Sequence, residues 1–93
     1  MDLTVLLIED NPADARLIQE MLAEGRNGVF RLERAERLAS GLARLAVGPV
    51  DVVLLDLSLP DGYGLDTFRR LHAQAPSVPV VVLSGLDDEE LAV

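Results

Sequence analysis

Three acidic side chains stand where apolar runs stop: Glu9 and Asp10 after residues 3–8, and Asp56 near the end of residues 50–57. A carboxylate at the carboxyl tip of a buried strand is held on a stiff element and still meets solvent, a common way to present a reactive group. If the tips are neighbours, the charges repel. Two ionised carboxylates ~4 Å apart at an effective dielectric of ~20 cost about 4 kcal/mol. Either one acid keeps a proton, or a hard divalent cation shares the oxygens, and two or three carboxylates with a backbone carbonyl and waters suit Mg2+. We favour the metal. Ser84 closes a further apolar run, residues 78–83, and places a hydroxyl beyond it. Plainer readings stand beside these: Glu9 and Asp10 as a helix-capping cluster, Asp56 as a turn residue, and Ser84-Gly85 as ordinary turn chemistry after a strand.

The elements that must position these groups follow from hydrophobic period. Residues 3–8 are apolar, branched and too few for a helix, so they read as a buried strand. Asn11 then caps a helix with Pro12 at its first position, where the missing N–H costs nothing. Leu17, Ile18, Met21 and Leu22 recur at helical spacing, and the glycines at 25 and 28 close the helix. Phe30 and Leu32 alternate with Arg31 and Glu33, the pattern of a half-exposed edge strand. A second helix over about 36–47 buries Leu38, Leu42 and Leu45 and stops at Gly48-Pro49. Residues 50–57 are the most apolar strand, apart from Asp51 at its start. Leu65, Phe68 and Leu71 mark a third helix ended by Pro76, and 78–83 form a fourth strand. The acids at 87–90 fall in the first turn of a fourth helix, where its dipole favours them.

This βαβαβαβ order predicts an α/β fold: a mostly parallel sheet with helices on both faces. Ligands of such sheets bind beyond the carboxyl ends of the strands, where strand order reverses. Strands one and three are the expected neighbours, which crowds Glu9, Asp10 and Asp56 onto one rim.

At 93 residues the chain makes a single domain, and 49% hydrophobic against 26% charged residues is a globular composition. The net charge of −8 argues against direct contact with nucleic acid or an anionic membrane. There is no cysteine, so neither a disulfide framework nor a thiolate metal site is available. Met1-Asp2-Leu3 lacks a basic leader, and no apolar run approaches the ~18 residues of a membrane span, so the expected location is the cytoplasm. All eight basic residues are arginine.

The runs Leu6-Leu7-Ile8-Glu9-Asp10-Asn11, Leu54-Leu55-Asp56-Leu57-Ser58-Leu59-Pro60-Asp61-Gly62 and Val81-Val82-Leu83-Ser84-Gly85, in that order and spacing, resemble the signatures of response-regulator receiver domains. The resemblance covers essentially residues 1–93. It implies a flavodoxin-like doubly wound sheet of strand order 2-1-3-4 and a regulatory phosphoacceptor of two-component signalling, not an enzyme in its own right. Asp56 would take a phosphoryl group from a phosphohistidine on a histidine kinase or histidine phosphotransfer protein. Asp10 would ligate Mg2+ directly, Glu9 directly or through water, with Asp56 and the backbone carbonyl of Ser58 completing the protein's share. Ser84 would donate its hydroxyl to the phosphoryl oxygens and draw its loop inward, the switch step.

One departure stands out. The family carries a fifth strand with a Lys at its tip and a fifth helix, and this sequence has neither. The chain therefore reads as a C-terminally incomplete receiver domain, a fragment of a longer protein, because the fourth helix is cut within its second turn. An uncovered fourth strand predicts self-association through that edge. The alternative function is a receiver-like interaction module that is no longer phosphorylated. An aspartyl phosphatase fits poorly, since Ser58 stands where its second acid belongs and its Lys is absent; a flavin or nucleotide site would be repelled by the acids after strand one. Asp61 and Asp66 read as solvated or capping acids, His72 as a surface residue, and Tyr63 as a neighbour of the loop above the site.

Overall fold

The computed structural model describes residues 3–25 and 30–83. Its elements run β1 (Leu3–Ile8), α1 (Pro12–Gly25), β2 (Phe30–Ala35), α2 (Leu38–Val47), β3 (Val52–Asp56), β4 (Ser58–Leu59), β5 (Gly62–Tyr63), α3 (Leu65–Gln74) and β6 (Val80–Leu83). The four longer strands form one sheet of order β2-β1-β3-β6, every pairing parallel. That is the expected 2-1-3-4 order, with β6 as the fourth strand. Ser84 and the acids at 87–90 lie outside the described residues.

Successive side chains of β1 point to opposite faces, and both faces are covered. Leu6 and Ile8 join Val53, Leu55, Leu38 and Leu71 beneath α2 and α3, while Leu7 meets Ala15 and Ile18 of α1 on the other side. Burial on two faces is why β1 and β3 are continuous apolar runs. It also makes their tips stiff platforms.

Boundaries shift where polar groups intervene. β3 begins at Val52 because Asp51 turns its carboxylate to the Thr4 N–H (2.7 Å). α2 begins at Leu38, since Arg37 stays extended at φ −141°. The small antiparallel hairpin of β4 and β5 was not expected; it turns through Pro60 and Asp61. In α3 the buried positions are Thr67 and Leu71, whereas Leu65, expected to mark the core face, is 60% exposed. No helix among the described residues is long and apolar enough to cross a membrane.

Candidate functional site

Register brings the acids together. In the β1–β3 ladder Ile8 pairs with Leu55, so Glu9 and Asp56 leave the sheet at adjoining tips, where strand order reverses. One carboxylate oxygen from each of Glu9, Asp10 and Asp56 lies within 4.8 Å of the other two. Glu9 is only 4% exposed and Asp56 6%, while Asp10 faces solvent. Two acids thus form a floor, and the third stands at the opening.

The loop after β1 is tied at several points. The Glu9 N–H extends the β1–β2 ladder to the Ala35 carbonyl (2.9 Å). Asn11 caps α1, its Oδ1 accepting from the N–H groups of Ala13 (2.8 Å) and Asp14 (3.2 Å). Its own N–H donates to Glu9 Oε2 at 3.2 Å. Past the end of β3 the Ser58 N–H donates to Asp56 Oδ1 at 3.1 Å, holding that carboxylate.

Burial pushes the Glu9 carboxyl up to about 7, against an ordinary value near 4.5. The Asn11 N–H opposes this by stabilising the anion. Asp56 works upward again, as hydrogen-bond partner and as a like charge, with Asp14 adding to the repulsion. The cluster by itself therefore holds a proton near neutrality. Its donor set is three hard oxygens without nitrogen or sulfur, one of them open to solvent, and this fits a hard dication that keeps some of its water.

Of the residues singled out in the sequence, Glu9, Asp10 and Asp56 converge, and Ser58 sits two residues beyond Asp56 at the start of β4. Ser84 lies outside the described residues. Tyr63 is 79% exposed on the hairpin, in register with Ser58. Two contacts go beyond the sequence reading, the first by showing which helix Asp61 caps. Asp61 caps α2, a helix distant in sequence, its carboxylate accepting from the N–H groups of Leu38 (2.7 Å) and Ala39 (2.9 Å), and these bonds hold it below the usual carboxylate range. Arg34 of β2 reaches the backbone carbonyls of Glu9 and Asp10. A signal existed for the second: Arg34 stands where the alternation of Phe30 and Leu32 asks for a third apolar residue.

Comparison with known proteins agrees with this architecture. The family model for the response regulator receiver domain matches residues 5–93. The KDP operon transcriptional regulatory protein KdpE of Escherichia coli (strain K12) is 41% identical over 85 residues, covering 91% of this chain and 36% of that protein. The cell cycle transcriptional regulator CtrA of Caulobacter vibrioides (strain NA1000 / CB15N) is 37% identical over 81 residues, or 87% and 34% of the two chains. Among solved structures, the phosphorylated cyanobacterial phytochrome response regulator RcpA superposes with a TM-score of 0.80 at 31% identity, covering 97% of this chain and 70% of that one. The chain spans roughly a third of the length of these curated relatives. With the sheet order, the paired strand tips and a family match over nearly every residue, the chain belongs to the response regulator receiver domains of two-component signalling.

Proposed function

We propose that this receiver domain accepts a phosphoryl group on Asp56 and changes conformation to signal an output. An Asp56 carboxylate oxygen attacks the phosphorus of a phosphohistidine on a histidine kinase or histidine phosphotransfer protein. The new O–P bond forms as the P–N bond breaks, and the imidazole nitrogen leaves with the electron pair. A carboxylate is a weak nucleophile, so orientation and charge neutralisation carry the step. The Ser58 N–H supplies orientation by holding Asp56 Oδ1. Glu9, Asp10, Asp56 and the backbone carbonyl of Ser58 would hold Mg2+, which when bound supplies positive charge against the phosphoryl oxygens. Ser84 is assigned the hydroxyl that meets the phosphoryl group afterwards.

The observation that carries this reading is the convergence of the three carboxylates at the switch point of the sheet. The test is incubation with acetyl phosphate and Mg2+, followed by intact mass. One phosphoryl group is expected on the native chain, none on Asp56→Asn, and none when Mg2+ is withheld. No mass gain in a version that also carries the family's fifth strand and Lys would favour an interaction module that keeps the fold without the chemistry.

A further inference from the structure

We propose that Arg34 is a positioning residue for the acidic cluster, holding the backbone of Glu9 and Asp10 so that their carboxylates converge on Asp56. This rests on the reading of that cluster as a divalent-cation site. Arg34 lies on β2, opposite Leu7 in the parallel register, and its side chain runs forward past the end of the ladder. Nε donates to the Glu9 carbonyl at 3.0 Å and Nη2 to the Asp10 carbonyl at 3.2 Å. Among the described residues its other charged contact, to Glu36 Oε2 at 4.0 Å, is long, and the Glu36 side chain is exposed. The guanidinium is therefore committed to two successive carbonyls of the loop that bears the acids.

The sheet cannot do this work. Its last bond on this side is the Glu9 N–H to Ala35, and the Asn11 cap secures only the first turn of α1 beyond the loop. The carbonyls between these anchors are where the chain turns from strand to helix, and a small rotation there swings both carboxylates. A planar guanidinium spans two acceptors in a fixed fork, which a lysine ammonium does not.

Charge and geometry make opposite predictions here. A cation beside a dication site repels the dication, so electrostatics alone says that removing Arg34 tightens Mg2+ binding. Positioning says that removal weakens it, because outer partners that orient ligands are worth about 10- to 100-fold in metal affinity.

The test uses Arg34→Gln and Arg34→Lys. Mg2+ affinity is measured by calorimetry at constant ionic strength, and amide hydrogen exchange at Glu9 and Asn11, whose N–H groups are bonded, is followed without metal. Expected are a Kd for Mg2+ raised about 10-fold or more in Arg34→Gln, a smaller rise in Arg34→Lys, and faster exchange at both amides with exchange at Val5 to Leu7 unchanged. A Kd that stays the same or falls overturns the proposal, as does unchanged exchange. If the native chain binds no Mg2+, the cation-site reading fails by itself, and the exchange comparison still decides whether Arg34 holds the loop. If Arg34→Gln does not fold, Arg34→Lys carries both readouts.

Discussion

On the proposed cation-site reading, the proton on Glu9 and a bound dication would compete for the same oxygens, and that competition has a measurable pH signature. In the metal-free native state Glu9 titrates at about 7, whereas the unfolded chain releases that proton near 4.5. Between these values the native state binds one proton more than the unfolded state, so stability falls as pH rises through the window. The difference of roughly 2.5 units, at 1.36 kcal/mol each, makes the full penalty about 3 kcal/mol once pH exceeds 7. A dication takes the ionised form. Below pH 7 its apparent affinity should therefore drop about tenfold per unit, and above about pH 8 it should level off. At a concentration 100 times the plateau Kd, Mg2+ adds about 2.7 kcal/mol at pH 8, and at pH 5.5 about 1 kcal/mol or less. In a domain of this size 1 kcal/mol moves Tm by about 4–8 °C. The assay is thermal unfolding from pH 5.5 to 8, with and without Mg2+ at fixed ionic strength, on the native chain and on Glu9→Gln. The gap between the two melting curves should widen with pH in the native chain. In Glu9→Gln it should change little over that range. An equal Mg2+ effect at pH 5.5 and 8 in the native chain would refute the reasoning.

Other perturbations act on individual contacts. Gly41→Ala adds a methyl that overlaps Ile8 Cδ1 and stands 3.0 Å from Ile8 Cγ1, in a core where Ile8 has no exposed surface. Overpacking of about 1–3 kcal/mol outweighs about 1 kcal/mol of helix propensity, so denaturant titration should show a net loss near 1 kcal/mol, recovered in part by adding Ile8→Val. Asp10→Ala removes one of the repelling carboxylates; metal-free Tm should rise, and the response to millimolar Mg2+ should shrink. Asp61→Ala uncaps α2, which should lower Tm and speed exchange at the Leu38 and Ala39 amides, with Asp61→Asn milder. β6, the outer strand among the described residues, exposes Val81 and Val82, and self-association of the 93-residue chain is expected in sedimentation at tens of micromolar; a monodisperse monomer would contradict it.

The sheet was legible because its strands are of two kinds. β1 beyond Thr4 and β3 up to Asp56 are covered on both faces and read as apolar runs, while β2 at the edge alternates from Phe30 to Glu33. Punctuation by Asn11-Pro12, Gly48-Pro49 and Pro76 set the helix limits to within about two residues. The convergence of Glu9, Asp10 and Asp56 came from order and register alone. The hairpin at Ser58 and Tyr63 was not legible, because two-residue strands leave no periodicity to detect. Asp61 was legible as a capping acid but its helix was not, because the bonds join residues 22 and 23 positions apart and nothing local announces them. Leu65 misled because helical spacing marks a stripe and not its edge; the stripe in α3 is centred on Thr67 and Leu71.

Proton and cation are alternative remedies for crowded acids when only the sequence is considered, and under the proposed function they would be successive occupants of one place. Glu9 is buried enough to keep its proton near neutrality, yet its oxygens lie within 4.8 Å of those of an exposed acid. A site fully closed around these carboxylates would keep the proton and admit no ion. One fully open would ionise and gain little from a cation, since water already screens the charges. With Asp10 at the opening over two buried acids, the repulsion stays strong enough to reward a dication and accessible enough for one to enter. This balance depends on where the carboxylates are held, by Arg34 through the backbone carbonyls of Glu9 and Asp10 and by the Ser58 N–H through the Asp56 carboxylate itself.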